Sequence, residues 1–318
     1  TDRRRVRCVS GGGRAVGPCD GERLADAGSG EDAGPQAINL DGGGVTPDPE
    51  WAQWAVPPSS PQAANYLLDR CTATDVTTRL VWQRAVGQPK TWAAARDHCA
   101  GLSLGGSGGW RLPTIIELAT LVDYSGRVAI EPATFPEAPP GPYWSGTLSG
   151  GNPDFAQVVQ FAAGIGGGVI ARGTASAASF RCVRCADAAC PVPVVGAGAP
   201  AGHYSLDAGI AFDTRTRLSW QRGESGRGNH AAAAAQCAGL ELQGKGWRLP
   251  TIKELQTLVD SRATTPPTLD SVAFPMAATD PYWSSTEYAV SSRWMVTFRY
   301  AGTGNADRWT EANVRCVR

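Results

Sequence analysis

The side chains best equipped for recognition chemistry gather late in the chain. Arg293, Trp294, Arg299, Tyr300, Arg308 and Trp309 set guanidinium donors beside aromatic plates. That combination suits a sugar ring, a sulfate group or a protein hot spot. Strand alternation sorts them: Arg293, Met295, Thr297 and Arg299 face one way, and Trp294, Val296, Phe298 and Tyr300 the other. Trp294 is therefore expected in the core, and Arg299, Arg308 and Trp309 on the surface. The matching segment in the first half offers only Asp154 and Arg172 among glycines and alanines, a poorer site.

Catalysis is thinly supplied. The three histidines, His98, His203 and His230, occupy unrelated positions, which leaves Ser/His/Asp chemistry without support. Glu117 and Glu254 have no nucleophile or histidine within their motif, and a helix-capping role accounts for them. CVRC at 182–185 has redox spacing but no helix start behind it. Oxygen ligands for calcium occur in GNPD (151–154) and DRWTEAN (307–313), yet neither forms a lectin calcium motif, and Asp and Asn in turns have a simpler explanation. The expectation is a non-enzyme without cofactor, calcium being the one ion with candidate oxygens.

Nine cysteines without any CxxC…CxxC set fit disulfides in an oxidising compartment better than a zinc site. Cys99 with Cys182, and Cys237 with Cys316, would each tie a helix to a last strand. Closing a loop of about 80 residues contributes roughly 2–5 kcal/mol. Cys185 with Cys190 forms a feasible small loop. Cys8, Cys19 and Cys71 remain; Cys71 stands opposite Gly209, and the odd count leaves one thiol for a missing domain or a neighbouring subunit.

These residues are positioned by a repeat. YLLDRCTATDVTTRLVWQR (66–84) returns without a gap as YSLDAGIAFDTRTRLSWQR (204–222), GWRLPTIIEL (109–118) as GWRLPTIKEL (246–255), PYWSGT (142–147) as PYWSST (281–286), and FRCVR (180–184) as VRCVR (314–318). Two domains follow, 65–184 and 203–318, joined by 185–202 and preceded by a Pro/Gly-rich linker over 11–64. VRCV at 6–9 reads as the last strand of an incomplete earlier copy over 1–10. Trp51 and Trp54 are expected to tack the linker onto a domain surface.

Within each copy, TRLVWQR or TRLSWQR reads as a strand. An Ala-rich helix follows, capped by Thr91 or Asn229 and carrying one cysteine. Pro113 and Pro250 then hold the preceding backbone extended, so WRL passes directly into a helix with Thr114 or Thr251 as N-cap and Glu117 or Glu254 at N3. Trp110 and Trp247 are expected to cover the helix–sheet junction, Arg111 and Arg248 to have carboxylates nearby, and Trp144 and Trp283 to lie buried in short strands.

The bulk composition sets limits. Twenty-nine basic and 29 acidic residues cancel, so no global field recruits nucleic acid or an anionic membrane. No apolar run approaches the roughly 18 residues of a transmembrane helix. The opening TDRRRVRC is unlike a signal peptide, and the chain reads as a mature or excised piece of a secreted protein.

The combined motifs GGWRLPTIIELATLVD, GPYWSGT, SFRCVR and their partners resemble the bacterial extracellular domain family typified by the C-terminal domain of a collagen-like adhesin. The resemblance implies tandem C-type-lectin-like α+β modules, related to the formylglycine-generating-enzyme superfamily, each with short helices on a small, mainly antiparallel sheet. It implies a secreted or cell-surface location, terminal strands that pair, and a variable face among the late loops. The adhesin domain is known for binding sulfated glycosaminoglycans, and the family brings no agreed catalytic residues. Two functions are expected from this sequence. The first is an extracellular adhesion or carbohydrate-binding module that meets a glycan or extracellular protein through Arg293, Arg299, Tyr300, Arg308 and Trp309. The alternative is a structural subunit of a multi-chain cell-surface assembly, homo- or hetero-oligomeric.

Overall fold

The computed structural model describes residues 50–104, 106–125, 129–150, 152–162, 167–186 and 198–318. The first copy opens with an antiparallel meander of β1 (Tyr66–Leu68), β2 (Thr72–Asp75) and β3 (Leu80–Gln83). Strand β4 (Gly87–Lys90), helix α1 (Trp92–Ala100) and helix α2 (Ile115–Thr120) follow. Then come β5 (Gly141–Ser149), β6 (Asn152–Phe161), β7 (Gly168–Gly173), β8 (Ala178–Phe180) and β9 (Val183–Cys185). They form two sheets, β1-β2-β3-β9 and β4-β8-β5-β6-β7, so the last strand closes on the first meander.

The second copy repeats the plan with β10 (Tyr204–Asp207), β11 (Ile210–Asp213), β12 (Ser219–Gln221), β13 (Arg227–Gly228), α3 (His230–Ala238) and α4 (Ile252–Gln256). Its late half comprises β14 (Tyr282–Ala289), β15 (Ser292–Thr297), β16 (Gly302–Asp307) and β17 (Ala312–Asn313). The sheets are β10-β11-β12 and β13-β17-β14-β15-β16, and Val317 bridges singly to Trp220 and Arg248 where the first copy has β9. Strands dominate over short helices, and pairing is antiparallel apart from β5 with β8 and β14 with β17. The chain is α+β in two tandem copies.

Local chemistry explains the shared elements. The β2–β3 turn is built by Asp75, whose Oδ1 accepts from the amides of Thr77 (2.7 Å) and Thr78 (3.0 Å); Asp213 does the same for Arg215 and Thr216. Asn229 caps α3 by accepting from the Ala232 amide at 3.0 Å. Thr91 makes no such side-chain bond, contrary to the sequence expectation, and α1 starts on backbone contacts alone. Helices α2 and α4 both begin with the expected capping box.

Each copy has a private core around its own disulfide. Cys99–Cys182 sits with Trp110, Trp144 and Phe180, and Cys237–Cys316 with Trp247, Trp283 and Met295. Cys71 and Cys185 are also disulfide-bonded, with their other halves outside the described residues. The expected Cys185–Cys190 loop falls there too, as do the proposed strand at 6–9 and residues 11–49 of the linker.

A third apolar cluster belongs to both copies. It joins Leu118, Val122, Tyr124 and Val169 to Ile252, Leu255, Trp294 and Ala301. Helix α2 packs on α4, and edge strand β7 lies along edge strand β16. The Tyr124 ring meets Trp294 edge-on at 5.2 Å, and Gln256 donates to the Tyr124 hydroxyl at 2.9 Å. The Val169 amide donates to Thr303 Oγ1 at 2.9 Å, and these two positions are equivalent, each pairing with the corresponding valine, Val159 or Val296. Equivalents thus meet equivalents, the pattern of an isologous two-fold contact within one chain.

Residues 50–61 run over this junction. Glu50 accepts from Thr147 of the first copy at 2.8 Å, while the buried Trp51 ring lies 5.2 Å from His203 and 6.2 Å from Tyr204 of the second. The Tyr124 amide donates to Ser59, and Trp54 packs against the shared cluster. The two tryptophans therefore serve both copies, rather than a single domain surface as the sequence had implied.

Candidate functional site

The repeated phrase resolves into a clamp between helix and sheet. Arg111 makes a two-pronged ion pair with Glu117, Nη1 to Oε2 and Nη2 to Oε1, each at 2.7 Å. Glu117 Oε2 also accepts from the Thr114 amide at 2.8 Å, so one carboxylate caps the helix and neutralises the arginine. Burial pulls the Arg111 pKa down, and the Glu117 charge and hydrogen bond outweigh it to leave a net rise. Arg248, Glu254 and Thr251 repeat the arrangement at 2.7–2.8 Å. Pro113 and Pro250 offer their carbonyls to the amides of Gly146 and Ser285, and Thr147 and Thr286 accept from the first helical amides, Ile115 and Ile252. GWRLPT and YWS(G/S)T are thus two halves of one joint.

The tryptophans complete it. Trp110 and Trp247 are buried and donate to the carbonyls of Ser107 and Leu242; Trp144 and Trp283 are fully buried and donate to Lys90 and Gly228. Glu117 and Glu254 thus each bind their arginine and their helix cap with the same carboxylate. His230 lies beside Trp283 at 5.5 Å with Nε2 3.1 Å from the Ser284 carbonyl, and burial lowers its pKa.

The five late residues separate into two groups. Arg293 pairs across the hairpin with Ala306, which puts it near Arg308 and Trp309 just beyond β16. Arg308 lies over the Trp309 ring at 4.9 Å, and that ring is 67% exposed. Arg293 is held by the carbonyls of Ala289 (3.1 Å) and Ser292 (2.9 Å), with Glu287 at 3.7 Å. Arg299 and Tyr300 stand at the opposite end of the same hairpin, before β16 begins. Six strand residues at about 3.3 Å each separate the ends by about 20 Å, so the five residues do not form one site. Tyr300, assigned by alternation to the side of Trp294, is exposed because the strand stops at Thr297 and the chain turns through Ala301 at a φ of 55°.

At the Arg299 end the junction opens into a cleft of about 180 Å³. One wall is the β5–β6 hairpin of the first copy, with Ser149 and Gly150 at its tip and Gln157 further along β6. The other is the segment 261–268 of the second copy, with Thr264 and Thr265, and Arg299, Tyr300 and Ala301 close the end. Thr268 pins this wall by bonding the Phe298 carbonyl through both its amide (2.7 Å) and its hydroxyl (3.0 Å). Gly150 turns at a φ of 57° with the Ala263 carbonyl 3.6 Å from where a Cβ would stand, which brings the two walls together. Gln157 is 2% exposed, and its Oε1 has no hydrogen-bond partner. Two other hollows along the junction, about 20 and 10 Å³, hold no more than single waters.

Two of the calcium candidates build turns. Asn152 Oδ1 accepts from the Asp154 amide at 2.9 Å, and Asp307 Oδ1 from the Trp309 amide at 2.9 Å. Among the described residues, no three His, Cys, Asp or Glu side chains are grouped to hold a metal.

The joint and the closing RCVR strand recur with the same contacts in both halves, and the model of the Lcl C-terminal domain matches residues 71–184 and 209–318. The chain belongs to the Lcl C-terminal domain family. No curated protein matches it. In this tandem Lcl C-terminal domain chain, sequence reasoning missed the first copy's share of the cleft, Ser149 and Gln157. It also missed Lys253, which is buried at the junction and donates to the carbonyls of Pro58 (2.6 Å) and Thr120 (2.8 Å). A signal existed for Lys253: it replaces Ile116 inside an otherwise repeated phrase.

Proposed function

We propose that this chain is a non-enzymatic extracellular binding or adhesion module, of C-type-lectin-like architecture, that recognises a glycan or protein through late loops of its second copy. The observation that carries this reading is the cleft at the junction, where Arg299 and Tyr300 face the first copy's Ser149 and Gln157. A rigid scaffold with divergent loops is where binding groups are placed, and two buried disulfides fit an oxidising location. No catalytic residue and no cofactor are assigned: the clamp engages the motif carboxylates, and the turn oxygens are engaged by backbone amides.

The test is binding of the purified chain to arrays of glycans and extracellular proteins, alongside R299A/Y300A and R308A/W309A. Loss in the first pair with retention in the second is expected; retention in both would remove the late loops from the reading.

A second reading, a structural subunit of a multi-chain extracellular assembly, draws on the nine cysteines, which leave one without a partner in the chain if the rest pair. Non-reducing mass of material from the native source would show a covalently attached chain if this reading holds.

A further inference from the structure

Resting on the binding reading above, we infer that the cleft between the two copies takes an uncharged saccharide unit, and that both copies are needed to hold it. Charge is the first observation. Among the described residues, Arg299 is the one charged side chain lining the cleft, and its Nη2 already pairs with Asp280 Oδ1 at 3.1 Å. A sulfate or carboxylate group would have to compete with that carboxylate for a single guanidinium, whereas polyanions are held by several unmatched cations. Apart from Tyr300, the remaining polar lining consists of the hydroxyls of Ser149, Ser261, Thr264, Thr265 and Thr268 and the amide of Gln157.

The second observation is Gln157. Its Oε1 is buried without a hydrogen-bond partner among the described residues, so the amide meets the cleft through Nε2, a neutral donor. A neutral ligand hydroxyl or ring oxygen can accept from it. The third is Tyr300, which is 65% exposed and whose ring lies close against Gly302. A Cβ at Gly302 would fall 2.6 Å from that ring, so the ring can pack this close only because the residue is glycine. The ring offers an apolar plate to the C–H face of a pyranose, beside a row of hydroxyl partners. At about 180 Å³ the cleft is below the roughly 300–1,000 Å³ of drug-sized pockets, room for one ring with the rest of a chain outside.

Titration calorimetry on the full chain tests this, with uncharged hexasaccharides of glucose, galactose, mannose and N-acetylglucosamine as probes and a heparin hexasaccharide as the polyanion. At least one uncharged probe is expected to bind, with affinity changing less than about twofold between low and high salt. Y300A, a surface change, and Q157L are each expected to weaken it about tenfold or more, while W309A leaves it unchanged. If only the heparin probe binds, with steep salt dependence, the uncharged-ligand inference falls and the binding module stands. Uncharged binding that survives Y300A places the site elsewhere and also overturns the inference. If no saccharide of either kind binds, both the inference and the glycan half of the functional reading fail.

Discussion

Lys253 shows how one side chain sets a pH response. Burial pushes its amine pKa down to about 7, against the opposing pull of Asp75 and Asp123, the charged groups that face it from the first copy. In the unfolded chain the amine keeps its proton up to the ordinary lysine range near 10.5. Between these values the unfolded state binds more protons, so stability rises with pH across that window, and below about pH 7 the charged, buried form carries its full penalty. We expect the urea midpoint to climb from pH 7 to pH 9.5, by an amount on the order of a few kcal/mol in stability. K253M should flatten that climb; an equal climb in K253M would assign it to other groups. Lysine was legible as a departure from the repeat, but its burial was not, because the apolar pattern of α4 places it where a solvated face is equally consistent.

At the scale of the element, the clamp makes a quantitative prediction. Removing Glu117 strips a cap and leaves a guanidinium without its carboxylate, so E117A should lower stability by about 2–4 kcal/mol. Arg248 has its side chain 49% exposed against 26% for Arg111, so water compensates more of the loss, and E254A should cost less than E117A. Denaturant midpoints of the two variants give the order directly, and equality would show that the pair contributes little beyond the cap. This joint was readable from the sequence because its chemistry is local: a proline, a threonine and a glutamate at fixed spacing dictate it. Tyr300 was misassigned because alternation holds only while the strand lasts, and the strand stops at Thr297, ahead of the positive-φ turn at Ala301 and the Gly302 that follows it.

For the whole molecule, the shared cluster and the strap over residues 50–61 make the copies one cooperative body. Calorimetry should therefore give a single transition, with van't Hoff and calorimetric enthalpies equal; two resolved transitions would mean that the junction contributes little. A119E, which places a carboxylate on the α2 face that lines the hollow beside Gln256, is expected to split the transition or lower its midpoint by several degrees. The repeat, the two disulfides within copies and the α+β character could be read from residue patterns, since agreement between copies marks what each needs for itself. The junction could not, since its apolar residues read like those of a private core, nor could its cleft, which is made where the copies disagree.

That disagreement bears on ancestry. In a symmetric pair of separate chains, a change at one side of the axis appears at the other, so an isoleucine at position 116 would always meet a second isoleucine. Joining the halves in one gene releases that constraint: Ile116 can face Lys253, and the first copy can keep a bland late segment of glycine and alanine while the second acquires arginine and tyrosine. Duplication followed by fusion thus gives selection two addresses where a dimer has one.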